Sequence, residues 1–99
     1  MERERETAES IKQWADDTFG PAPRLAQLQR AAKEMSELQI AILTDADEKT
    51  IAMEAADVII CLSRLAALYP YAVDEKMAIN RARKWVVDGN GCGQHVKGT

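Results

Sequence analysis

The sequence predicts an all-α fold, a four-helix bundle, on three observations. Apolar residues recur at helical three- and four-residue spacing in four separate segments. Val and Ile fall mostly inside those segments, with no period-two alternation between turn signals. The breaks between segments carry Pro, Gly, Asp and Thr, residues that stop or cap helices.

The first segment, about Arg3 to Asp17, is charged and then amphipathic, with Ile11, Trp14 and Ala15 on one face. Phe19-Gly20-Pro21-Ala22-Pro23 ends it. Trp14 is read as a core or interface side chain. Its flat indole also suits a ligand wall. The second helix is expected over Arg24 to Leu43, with Leu25, Leu28, Ala32, Met35, Leu38 and Ile42 as the packed face. Glu34 and Glu37 share another side, and on their own they read as a solvated acidic face. Thr44-Asp45-Ala46-Asp47 supplies the turn and the caps for the next helix.

The third helix is expected over Ile51 to Leu68, a stretch of eighteen residues in which only Glu54, Asp57, Ser63 and Arg64 are clearly polar. A helix apolar nearly all round is a buried helix. An unpaired carboxylate inside it is costly, so Glu54 and Asp57 require a cation, a basic partner or an open cleft. Two helices joined by a short loop are antiparallel neighbours, which brings Glu34 and Glu37 toward Glu54 and Asp57. Four converging carboxylates repel unless a hard cation such as Mg2+, or Mn2+ in its place, joins their oxygens.

Tyr69-Pro70-Tyr71 ends the third helix. The fourth is expected over Val73 to Val87, with Gly89 as its stop. At 100° per residue, Lys76, Asn80 and Arg83 fall within about 60° of one another and form a donor array suited to phosphate oxygens. Taken alone, that stripe reads as a basic solvated face. The Gly-rich tail after it is read as irregular and partly mobile. Cys92 and His95 within it do not make a zinc site by themselves.

Ninety-nine residues, 46% hydrophobic and 29% charged, suit a single domain spanning the chain. A net charge of -3 argues against a general nucleic-acid binder. No apolar run suits a membrane span, and the N-terminus lacks the apolar region of a secretory signal. Two cysteines form no disulfide framework, so a cytoplasmic location is expected, in the host cell if the source is viral.

The motifs read E-x-x-E, then E-x-x-D after sixteen intervening residues, then K-x-x-x-N-x-x-R. The ordered set resembles the MazG-type all-α nucleotide pyrophosphohydrolases over nearly the whole chain. IKQWADDTFGP and KMAINRARKWVVDGNG also look like the small phage-type branch called MazZ. The resemblance implies hydrolysis of a (deoxy)nucleoside triphosphate to the monophosphate and pyrophosphate. It implies Mg2+ on Glu34, Glu37, Glu54 and Asp57, with Glu37, or else Glu34, as general base. Lys76, Asn80 and Arg83 would hold the leaving pyrophosphate. A homodimer or homotetramer is implied, and the branch points to purine deoxynucleotides, dGTP before dATP. Ile11 and Trp14 are the expected wall for the base.

Two rival readings stand beside this one. A di-iron carboxylate bundle needs Glu-x-x-His motifs, and the sole histidine is His95 in the tail. A non-catalytic helical interaction module accounts for the amphipathic faces but leaves Glu54 and Asp57 without a purpose. No Walker A loop is present, which argues against a P-loop enzyme.

Overall fold

In the computed structural model, which describes residues 4–98, the chain is predominantly helical. The described residues form four helices, α1 (Ala8–Phe19), α2 (Arg24–Leu43), α3 (Glu48–Ala66) and α4 (Ala72–Ala82), followed by two short strands, β1 (Trp85–Val87) and β2 (Gly93–His95). None of the helices is long and apolar enough to cross a membrane.

Local chemistry sets the helix ends. Thr7 and Ser10 exchange side-chain and backbone hydrogen bonds at 2.8 and 3.0 Å, a capping box that starts α1 at Ala8. The start expected at Arg3 lies outside the described residues. Gly20 ends α1 at φ 82°, a left-handed angle that glycine adopts without steric cost. The Asp47 carboxylate accepts from the Thr50 amide at 2.8 Å and caps α3, as the turn chemistry suggested.

The core is built on α3, against which both α1 and α2 pack. Its buried apolar residues among those described are small: Ala15, Ala31, Ala41 and Val58. Along α2, the face turned inward is Gln27, Ala31, Glu34, Leu38 and Ala41, spaced by four, three, four and three residues. This corrects the expected packing face. Leu25, Leu28, Met35 and Ile42 are exposed in the single chain, because the alanines rather than the larger side chains let α2 approach α3 closely. Nor is α3 buried all round, since Met53 and Ile59 are also exposed.

The fourth element departs further from expectation. Helix α4 ends at Ala82, and Arg83 is already extended at φ -79°, ψ 153°. The segment expected to continue the helix to Val87 is instead β1, antiparallel to β2 with Trp85 opposite His95. Asp88 closes this hairpin: its carboxylate accepts from the Asn90 and Cys92 amides at 2.8 and 3.2 Å. Gly89 is therefore a turn residue at φ 87°, not a helix stop, and Asn90-Gly91 belongs to a hairpin after all. The tail is correspondingly regular over residues 93–95. A Cβ on Gly93 would lie 2.6 Å from the Val86 carbonyl oxygen, so only glycine fits there. Helix α4 makes no extensive contact with another element among the described residues. The radius of gyration is 16.3 Å, against roughly 13 Å for a compact domain of this length.

Candidate metal centre and cleft

Helices α2 and α3 bring three carboxylates together. One oxygen each of Glu34, Glu54 and Asp57 lies within 4.8 Å of the other two. Glu34 is buried, Glu54 half-buried and Asp57 exposed, so the group runs from the α2–α3 interface to the surface. Glu34 reaches this point because it lies on the inward stripe of α2. Glu37 is about 60° further round the helix and is exposed, outside the group of three.

The polar accounting is incomplete. Arg30 Nη2 lies 3.0 Å from Glu34 Oε1. No basic side chain pairs with Glu54 or Asp57 among the described residues. Glu54 Oε2 is shielded from solvent and has no hydrogen-bond partner there. An orphaned buried carboxylate oxygen facing two further carboxylates fits a hard divalent cation such as Mg2+ or Mn2+. Cys61 lies nearby, and burial, reinforced by the Glu34 charge, pushes its thiol above the usual range.

The carboxylates open into a cleft of about 460 Å³ between α1, the start of α2 and α3. This volume is in the range of small-molecule sites. Its apolar wall is Trp14 and Phe19, whose rings meet edge to face with centroids 5.5 Å apart. Glu34 and Asp57 line the same cleft, as do Arg30, Cys61 and Arg64. Trp14 thus faces a space continuous with the acidic group, whereas Ile11 does not line it.

Lys76, Asn80 and Arg83 do not line this cleft either. Lys76 is exposed, Asn80 and Arg83 are half-buried, and the Asn80 carbonyl accepts from Trp85 Nε1 at 2.7 Å. Because Arg83 has left the helix, the three do not form one continuous helical stripe. His95 packs edge to face on Trp85 at 6.0 Å, and Cys92 sits in the hairpin turn.

Sequence reasoning did not single out Arg30, Phe19 or Cys61. The Arg30–Glu34 spacing of four residues was a readable signal for an ion pair on one helix face. Phe19 was read as part of a break whose backbone could read the base edge, not as an aromatic wall. Comparison with models of known families, with curated proteins and with solved structures gives no significant match.

Proposed function

We propose that the protein is a divalent-metal-dependent nucleoside triphosphate pyrophosphohydrolase acting on a purine deoxynucleotide, dGTP before dATP. The observation that carries this reading is the junction of Glu34, Glu54 and Asp57 with an aromatic-walled cleft, Glu54 Oε2 being left without a partner. A hard-cation site beside a stacking wall suits a ligand with a polyphosphate at one end and a flat base at the other.

Glu34, Glu54 and Asp57 would hold the ion, with Glu37 next to them on α2. Bound there, Mg2+ would offset triphosphate charge and lower the pKa of a coordinated water. Water oxygen forms a bond to the α-phosphorus, and the bond from that phosphorus to the α–β bridging oxygen breaks. Glu37, exposed on α2 and outside the group of three, would take the water's proton as general base. Trp14 and Phe19 stack the base, and a purine gives them more area than a pyrimidine. Lys76, Asn80 and Arg83 hold the departing pyrophosphate if α4 of a second chain reaches the cleft. The exposed Leu25, Met35, Met53 and Ile59 support such a homo-oligomer, because apolar faces of this extent are ordinarily covered.

A non-catalytic interaction module is the second reading, favoured by those same exposed faces. The deciding experiment measures pyrophosphate release from a panel of nucleoside triphosphates with and without Mg2+. Release that depends on Mg2+ and is fastest with dGTP supports the enzyme. Absence of release across the panel, with no thermal stabilisation by Mg2+ or Mn2+, supports the module.

A further inference from the structure

The Arg30–Glu34 pair is unequal. The Glu34 side chain is 8% exposed and fixed in the α2–α3 interface, whereas Arg30 is 61% exposed and stands on the cleft wall. The carboxylate therefore has little freedom to move, while the guanidinium can turn away at small cost. Glu34 is also the one member of the acidic trio that has an internal cation. A metal ion on the trio and Arg30 would compete for the same carboxylate, and the two positive charges would repel one another.

We propose that Arg30 is an exchangeable counter-ion. It pairs with Glu34 when no metal is present and turns to an anionic group of the cleft ligand when a divalent cation takes the carboxylates. This rests on the metal-site reading above and adds a second binding residue to it. Among the described residues the cleft otherwise presents only Arg64 as a cationic side chain, and Arg64 is already engaged with Asp16 and the Gly20 carbonyl at 2.6 and 3.1 Å. A guanidinium released from Glu34 offers a planar fork for phosphate oxygens. Metal and anion binding then become coupled, each favouring the other through one side chain.

The test compares the wild-type protein with Arg30→Gln by calorimetry, first with Mn2+ alone and then with inorganic pyrophosphate at saturating Mn2+. Removing the competitor should tighten Mn2+ binding by roughly two- to tenfold, as expected for a partly exposed pair. Pyrophosphate should bind about tenfold more weakly for loss of a charge-assisted contact. Unchanged or weaker Mn2+ binding in Arg30→Gln would show instead that Arg30 permanently positions Glu34. If Mn2+ fails to bind the wild-type protein, the metal-site reading itself falls, and this proposal with it. A second measurement needs no variant. The arginine Nε–H resonance of Arg30 in wild-type protein should shift on adding Mg2+ and again on adding pyrophosphate. An Arg30 signal that ignores both additions overturns the exchange even if Arg30→Gln does not fold.

Discussion

Arg64 Nη2 lies 2.6 Å from Asp16 Oδ1, a contact that joins the middle of the fold to its first helix across 48 residues of sequence. The same nitrogen is 3.1 Å from the Gly20 carbonyl oxygen, so one guanidinium fixes both the end of α1 and the turn after it. Because Trp14 and Phe19 are carried by α1, this contact also positions the aromatic wall of the cleft. The Arg64 side chain is only 13% exposed, which makes its pairing matter more than that of a surface arginine.

Arg64→Ala should therefore lower the melting temperature by roughly 6–24 °C, the effect of losing a charged hydrogen bond of about 1.5–3 kcal/mol in a domain of this size. It should also loosen α1. Hydrogen exchange provides the check, with faster exchange expected in residues 8–19 and little change in α2. A variant that melts like the wild type would show that Arg64 does not hold α1.

Acid should weaken the same junction. The Lys12 ammonium, followed by the Arg64 guanidinium, holds the Asp16 carboxyl below its ordinary value of 3.8. A carboxyl depressed in the folded state contributes stability above its unfolded pKa and loses it as pH falls through the folded one. The contribution is thus fully present at neutral pH and declines below pH 3.8. Melting temperatures of wild type and Asp16→Asn should differ at pH 7 and converge as the pH falls below that value. A constant gap across the acid range would remove Asp16 from the account.

For the acidic group, Asp57→Ala and Glu54→Gln should each reduce Mg2+-dependent pyrophosphate release by at least about a hundredfold, the scale of losing a group that organises transition-state charge. Both should abolish thermal stabilisation by Mn2+. The metal-free Glu54→Gln protein should be as stable as the wild type or more so, since the change removes a half-buried carboxylate charge whose Oε2 is shielded from solvent and has no partner among the described residues. Circular dichroism and melting curves check the fold, and full activity in Asp57→Ala would refute the assignment.

How much of this was legible in the sequence follows from what each signal specifies. Pro23 marks the start of α2, and Asp47 caps α3 at Glu48, three residues before the start expected at Ile51, because a cap is a local property that apolar periodicity does not locate. The meeting of Glu34, Glu54 and Asp57 was also legible, since antiparallel neighbours fix which turns lie opposite. Glu37 did not join them because three residues leave it 60° short of a full turn. The leucine-rich face of α2 was legible as apolar but not as uncovered, because periodicity says that a face needs a partner without saying which chain supplies it. The hairpin was missed because Trp85, Val86 and Val87 satisfy helical spacing with Ile79 and Ala82 as well as they satisfy a strand of three residues. The cleft itself depends on how α1 leans on α3, a tertiary angle with no local signature.

Trp14→Ala tests the cleft as a base site. Stacking holds the ground state and the transition state alike, so its loss should raise KM for dGTP and dATP more than it lowers kcat. The increase should be about five- to 150-fold, on the scale of stacking one base on one aromatic side chain. Steady-state kinetics with dGTP, dATP, dCTP and dTTP separate the outcomes. A pyrimidine preference in the wild type would refute the purine reading and leave the hydrolase standing. An equal loss of kcat for all four would place Trp14 in the fold rather than against the base.

The last prediction follows from the distance between motifs that the sequence joins. Lys76, Asn80 and Arg83 lie on or just after a helix that makes no extensive contact with α1, α2 or α3, and none of them lines the cleft. If they serve the triphosphate, they serve it in another chain's cleft. Arg83→Ala should then weaken turnover by a similar factor for every base, because it reads phosphate. Mixing two inactive proteins makes a sharper test. In a symmetric dimer of Asp57→Ala and Arg83→Ala chains, one site carries both defects and the other carries neither. Random exchange of subunits should therefore restore about a quarter of the sites to wild-type composition. Light scattering should report a mass that is a multiple of 11.0 kDa for each variant and for the mixture. Mixed oligomers that form but show no recovered pyrophosphate release would mean that the basic residues do not act across the interface, and a monomer at micromolar concentration would exclude the arrangement altogether.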